Sequence, residues 1–281
     1  MTPPQAWPSP QLSAQVVPAG EVPVRETEVI PAESEVGRGD DIPPYFGGDR
    51  IVSNTAPGKV SCSTAFPVNH NGDREVMFAW HCMDGVVGQR WLNREEQARA
   101  QGTTTSHGPV HRDVATLDGV SYSPVVWVGR PHDSHARAIE GASRILSEGD
   151  LVALNGGFSG TVTHNEVIKL HHTYRWCMFK ILTGCQRWSP WFRGGVVLDN
   201  TRGIASAGAG DSGGGAIEFN RRGDVFAAGM ISAMIPGVPG DENRFRRPCS
   251  GIPERLCSKR QVIQPWSGIR QSSNLTLPTL N

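Results

Sequence analysis

The run Gly210-Asp211-Ser212-Gly213-Gly214 is the stretch of this sequence best suited to covalent chemistry. A serine hydroxyl flanked by glycines leaves room for a substrate, and the turn that glycines permit presents backbone N–H groups able to hold an oxyanion. A bare Gly-x-Ser-x-Gly would be better read as an ordinary turn; the five-residue string is more specific. Serine is a weak nucleophile at neutral pH and needs a base within hydrogen-bond reach. Phe78-Ala79-Trp80-His81-Cys82 offers one, an imidazole at the end of an apolar strand that a Cys62–Cys82 disulfide would hold to the preceding strand. Any one of nine histidines is more often structural than catalytic, and the serine motif reverses that balance. The base needs an acid that fixes its tautomer and stabilises the imidazolium, and Asp113, opening the apolar run Asp113-Val114-Ala115-Thr116-Leu117, suits that role. Asp118 and Asp84 are the nearest competitors, with Asp118 reading as a turn residue before Gly119.

These residues have to be placed by strands. From Tyr45 onward the chain breaks into short β-rich runs punctuated by Gly, Pro, Asn and Asp, at residues 60–68, 75–79, 123–128, 150–155, 160–170, 196–199 and 225–234. Such spacing predicts an all-β sandwich or a pair of barrels. A single helix is expected over residues 93–101, with Asn93 capping a run of good helix formers and Gly102 ending it. No internal repeat marks a solenoid or propeller.

The whole chain of 281 residues carries 27 basic and 27 acidic side chains, so its charge balance draws it neither to nucleic acid nor to an anionic membrane. No apolar run reaches the length of a spanning helix. Residues 1–44 hold nine of the 21 prolines and a net charge of −5, and read as a disordered acidic leader ahead of one folded unit, residues 45–281, with an internal boundary near 130–145. The integrin-type tripeptide Arg38-Gly39-Asp40 within the leader is short enough to arise by chance. The first residues lack the basic start and apolar core of a secretory signal, so either the natural start lies upstream or a leader has been removed. Six cysteines without a C-x-x-C pair favour disulfides in an oxidising, extracytoplasmic compartment. Fifteen pairings exist for six cysteines, and the three local ones are preferred: Cys62–Cys82, Cys177–Cys185 and Cys249–Cys257.

Ala-x-His-Cys, Asp-x-Ala-x-Leu and Gly-Asp-Ser-Gly-Gly, in the order His81, Asp113, Ser212, resemble the motifs of the chymotrypsin-like serine proteases. Gly47-Gly48-Asp49-Arg50-Ile51, then Cys62-Ser63, Phe66, Val68 and the Gly160-Thr161-Val162-Thr163 strand, resemble the streptogrisin-like bacterial members more narrowly. The likeness covers roughly residues 45–235 and implies two antiparallel six-stranded barrels with the active site in the cleft between them. It also implies a serine endopeptidase that needs no cofactor or metal and acts on protein or peptide substrates. Gly210 and Ser212 would supply the oxyanion hole, Ser232 would support the buried aspartate and start a substrate-binding strand, and Ser206 would lie at the floor of the specificity pocket. With no charge at Ser206 and a long Met234 where many relatives have glycine, uncharged small to medium apolar side chains are the expected preference.

The pattern also has departures. Trp80 and Phe78 replace smaller residues beside His81, and the cysteine usual just before the serine motif is missing. Residues 171–195 form an aromatic-rich insertion read as a disulfide-closed hairpin, and His171-His172 beside it lack a third ligand at metal spacing. Asp211 needs a cationic partner, which the resemblance supplies either as a new N-terminus at Ile51 or as an internal arginine in a chain starting near Tyr45. The expected place for that arginine, residues 152–156, holds none. The competing readings are a protease-like binding module without turnover, and an esterase, disfavoured because its histidine should come last. A monomer is expected.

Overall fold

The computed structural model describes residues 37–54, 60–83, 85–94, 97, 99–175, 177–181, 184–235 and 255–278, with backbone alone for 177–181 and 184–187. Seven strands open the chain: β1 (Tyr45–Gly47), β2 (Arg50–Ser53), β3 (Val60–His70), β4 (Asp73–Ala79), β5 (Arg90–Asn93), β6 (Ala100–Thr104) and β7 (Val114–Asp118). After them come β8 (Tyr122–Arg130), β9 (Asp133–Ala142), β10 (Leu151–Gly156), β11 (Gly160–Tyr174), β12 (Cys177–Ile181), β13 (Gly184–Trp188) and β14 (Phe192–Asn200). The last are β15 (Ala207–Gly208), β16 (Gly215–Phe219), β17 (Val225–Met234), β18 (Cys257–Ser258) and β19 (Arg260–Pro265). Among the described residues are also two short helices, α1 (Trp80–Met83) and α2 (Trp266–Gln271). No helix among the described residues is long and apolar enough to cross a membrane.

Strands β2-β3-β4-β7-β6-β5 form a closed barrel. Its β3–β4 hairpin closes on the pair His70↔Asp73 across Asn71 and Gly72, both at positive φ, as a two-residue turn matched to strand twist requires. Phe78 and Trp91 pack against each other in a core cluster that also holds Phe66, Met77 and Leu117. A nine-stranded sheet holds the other strands apart from the two-stranded pairs β12–β13 and β15–β18, and pairing of β17 with β19 returns it on itself, so that β17-β16-β10-β11-β14-β19 make a second ring around Leu154, Val167, Leu198, Ile231 and Ile263. The chain leaves the first ring at Asp118, and the β8–β9 hairpin bridges to the second, β9 lying parallel to β17. The C-terminal stretch ties the halves together. After β19, α2 and the residues beyond it bring Trp266, Ile269 and Leu275 into the first barrel's core, and Thr276 pairs with Asn69.

The helix expected over residues 93–101 is not formed. Asn93 ends β5 and Ala100 begins β6, with Leu92 opposite Ala100. Burial of Trp91 and Gln101 in a closing barrel outweighs the local preference of the residues between them. The folded body also begins earlier than Tyr45. Arg38 is 1% exposed, and its guanidinium donates to the Gly48 and Gly129 carbonyls and to Asn155 Oδ1. A buried Arg38 cannot present an integrin-type tripeptide to a partner. Burial draws its pKa down to about 9, with neighbouring Asp49 opposing the shift.

Candidate active site

The pairing of β4 with β7 sets the first part of the site. Ala79 lies opposite Val114, so the residues just beyond them, α1 on one strand and Asp113 before the other, meet at the same end of the barrel. Asp113 holds a left-handed conformation at φ 54°, a region that aspartate tolerates better than most residues. Its backbone carbonyl accepts from the Trp80 amide at 2.9 Å. The carboxylate, fully buried, accepts from the His81 amide at 3.0 Å and lies 2.9 Å from His81 Nδ1. A carboxylate accepting from the ring at this contact puts the proton on Nδ1 and makes Nε2 the basic nitrogen of the neutral imidazole.

A second set of donors reaches Asp113 from the other barrel. Ser232 Oγ donates to the carboxylate oxygen that faces His81, Tyr174 OH donates to Ser232 Oγ at 2.6 Å, and Gln264 Nε2 donates to Tyr174 OH at 2.8 Å. Burial and the charge of Asp113 push the Tyr174 phenol upward, keeping it a protonated donor.

Ser212 sits where the two barrels are stitched together. Its carbonyl accepts from the Ser63 amide at 2.8 Å and lies 3.9 Å from Cys82 Sγ, one residue beyond His81. Ser63 Oγ in turn donates to the Gly210 carbonyl and accepts from the Gly157 amide. Gly210 and Gly213 have φ of 92° and 87°. A Cβ on Gly213 would come within 2.3 Å of the Ser63 carbonyl and one on Gly210 within 2.8 Å of the Phe158 ring, so the turn needs glycine at both. Within residues 208–214 the amides of Gly208, Ala209, Asp211, Gly213 and Gly214 all donate to protein acceptors. Those of Gly210 and Ser212 have no acceptor among the described residues.

Asp211 is wholly buried beneath this turn and accepts from the Phe158, Ser159 and Gly208 amides at 2.9, 3.0 and 2.8 Å and from Ser159 Oγ. Its cation is Arg255, whose guanidinium pairs with Oδ2 and also donates to the Ala209 carbonyl. Arg50 and Arg255 each stand 5.5 Å from the Phe158 ring centroid. The internal arginine therefore exists, entering from just before β18 and not from residues 152–156. Ile51 lies buried within β2, paired with Cys62 and Asn93.

The other residues singled out from sequence are also placed. Ser206 is buried, with its hydroxyl donating to the Lys259 carbonyl at 3.2 Å. Met234 ends β17 opposite Gln261, half-buried. The Cys62–Cys82 disulfide is formed and anchors α1 to β3. Cys257 is disulfide-bonded, and Cys249 lies outside the described residues. The hairpin expected in the insertion is β12–β13, and the side chains of Cys177 and Cys185 lie outside the described set. The two departures beside His81 are absorbed by packing. Phe78 meets Trp91 edge-on at 5.3 Å inside the first barrel, and Trp80 leans on Phe192, 6.2 Å away, at the second. Tyr174, Gln264 and Arg255 carried no recognisable signal, because no short motif surrounds them.

No family model and no curated protein sequence matches the chain. Its fold is nevertheless shared with solved serine proteases. A glutamic-acid-specific serine protease described as using a histidine triad in substrate binding aligns at a TM-score of 0.52 and 20% identity, over 83% of this chain and 100% of its own. Thermobifida fusca Protease A aligns at 0.52 and 17%, over 84% and 98%. A Cellulomonas bogoriensis chymotrypsin aligns at 0.51 and 19%, again over 84% and 98%. The chain thus has the chymotrypsin-like all-β double-barrel fold.

Proposed function

We propose that the chain is a serine endopeptidase in which Ser212 is the nucleophile, His81 the general base and acid, and Asp113 the residue that orients His81. The observation that carries this reading is the hydrogen-bond relay from Gln264 through Tyr174, Ser232 and Asp113 to His81 Nδ1, ending beside the Ser212 turn. It supports an imidazole held in the tautomer that can take a proton at Nε2. In the reaction, Ser212 Oγ attacks the scissile carbonyl while His81 takes its proton and then delivers it to the leaving amine. Water, deprotonated by His81, then releases the acyl group and regenerates the serine. The two amides with no acceptor among the described residues, Gly210 and Ser212, suit the oxyanion of each tetrahedral intermediate.

Asp211 is already neutralised by Arg255, which supports an active turn that needs no new N-terminus at Ile51. N-terminal sequencing of active material should find a start upstream of Ile51. For the substrate, uncharged Ser206 and the side chain of Met234 favour small to medium apolar groups before the scissile bond. A peptide-library digest cut chiefly after Lys, Arg or Glu would overturn that preference, and the Glu specificity of one structural neighbour makes Glu the informative case. The disulfides favour an extracytoplasmic setting.

The reaction itself is tested by peptide hydrolysis with the purified chain beside Ser212→Ala, together with labelling by a fluorophosphonate. Activity should fall by at least about a thousandfold in the variant, and the label should be lost with it. A wild-type chain that neither hydrolyses nor labels would instead be a binding module on a protease scaffold.

A further inference from the structure

We infer that His70, Glu75 and His107 form a binding site for a zinc-class divalent metal at the end of the first barrel remote from His81. His70 closes β3, Glu75 lies two residues into β4 across the hairpin turn, and His107 comes from the connection between β6 and β7. Glu75 is 1% exposed, yet its recorded ion-pair partners among the described residues are two imidazoles and no Lys or Arg. Its Oε1 lies 2.5 Å from His107 Nδ1 and 3.8 Å from His70 Nδ1, while Oε2 is buried with no hydrogen-bond partner among the described residues. The two imidazoles stack, centroids 3.9 Å apart, bringing two like groups against one carboxylate. One ligand atom from each of the three lies within 4.8 Å of the others.

The donor chemistry selects the metal. Two nitrogens and one carboxylate oxygen suit Zn²⁺ or its neighbours Co²⁺ and Ni²⁺, and they disfavour Ca²⁺ and Mg²⁺, which take oxygen ligands. Donors around a tetrahedral Zn²⁺ stand about 3.3 Å apart, so the distances here straddle the required spacing and side-chain movements of under about 1 Å would reach it. The neighbourhood already steadies one ligand. The His107 amide donates to Thr105 Oγ1, itself hydrogen-bonded to Thr116 on β7, which fixes the backbone that carries this ligand. His107 remains 36% exposed, so water can fill the fourth position. A bound ion would neutralise Glu75 and clip the β3–β4 hairpin to the strand pair that carries His81 and Asp113.

Tag-free protein, stripped with a chelator, is titrated with ZnCl₂ by calorimetry and followed by thermal melting. One equivalent should bind, and a hundredfold excess over Kd should raise Tm by about 5–10 °C. His107→Ala, at a half-exposed position where folding is least at risk, and His70→Ala should each abolish the shift. Exchange for Co²⁺ should give a visible tetrahedral absorption that both variants lose. His171→Ala/His172→Ala, remote in sequence, should keep both signals. The inference fails if the wild-type chain shows no shift, or if the shift survives in His70→Ala and His107→Ala.

Discussion

Asp113 and Asp211 are equally buried, both at 0% exposure, and each lies within reach of the same serine turn, yet their surroundings differ in kind. Asp211 has a permanent cation in Arg255, three backbone amides and a hydroxyl, which saturate its oxygens. Asp113 has the His81 amide, the Ser232 hydroxyl and an imidazole whose charge is not fixed. A carboxylate that is already neutralised stabilises a fold but has little more to offer a charge that appears during a reaction. One with neutral donors and a titratable partner is poised to stabilise an imidazolium when it forms. Under the proposed mechanism, the difference assigns architecture to Asp211 and positioning to Asp113.

Substituting asparagine at each position separates the two roles and has the largest expected effects. Asp113→Asn should lower kcat by about ten-thousandfold, because an amide can hold the wrong tautomer of His81, while Tm moves by only a few degrees. Asp211→Asn removes the carboxylate charge that faces the buried Arg255 guanidinium and should cost about 3–5 kcal/mol, or a fall in Tm of roughly 6–20 °C. Its kcat should also drop, by about a hundredfold, as the turn bearing the Gly210 and Ser212 amides loosens. Kinetics and melting on both variants check the contrast. It breaks if Asp113→Asn melts as early as Asp211→Asn, or if Asp211→Asn keeps its full stability.

That contrast was only half legible in the sequence. His81, Asp113 and Ser212 sit in short motifs whose neighbours have local work to do: Cys82 to bridge, Gly213 to turn, Ala115 to fit a barrel wall opposite Phe78. Strand β17, Val225–Met234, has the limits its β-rich apolar run predicts. Arg255 was hidden because its partner is 44 residues away in the chain and a salt bridge leaves no periodic trace. Residues 93–101 misled in the opposite direction, since strong local helix preference was overridden by a barrel that needs Gln101 inside. Glu75, His70 and His107 share the first difficulty: the β3–β4 hairpin and the β6–β7 connection bring them together, and no spacing rule joins positions 75 and 107.

A third buried carboxylate extends the comparison, because Asp41 has neither a fixed cation nor an imidazole. It accepts from the Ile42 and Phe46 amides at 2.8 and 2.9 Å, and burial still raises its pKa to about 6 from an ordinary 3.8. A folded-state pKa above the unfolded value means that this group's stabilisation is complete below about pH 3.8 and lost as pH rises through about 6. Between those limits the loss should reach about 2 to 3 kcal/mol. Asp41→Asn, which keeps an acceptor without the titration, should flatten that part of the stability curve, as read by denaturant midpoints across the range. An unchanged curve would mean that Asp41 is ionised in the fold, and would place it with Asp211.

The finest test lies at the edge of the Asp113 network. Tyr174→Phe keeps the ring against Phe192, whose centroid is 5.6 Å away, and removes only the hydroxyl that donates to Ser232 and accepts from Gln264. Gln264 Nε2 loses a partner in a buried site, which should cost about 1–2 kcal/mol in stability. Ser232 keeps its bond to Asp113 but loses the donor that steadies it, so kcat should fall only a few-fold with KM unchanged. A merely structural tyrosine would lower Tm and leave kcat and its pH profile alone. A displaced acidic limb in the kcat profile would show that the charge stabilisation at His81 reaches through Ser232 to the second barrel, whereas a hundredfold loss would make Tyr174 as necessary to the imidazolium as Asp113 itself.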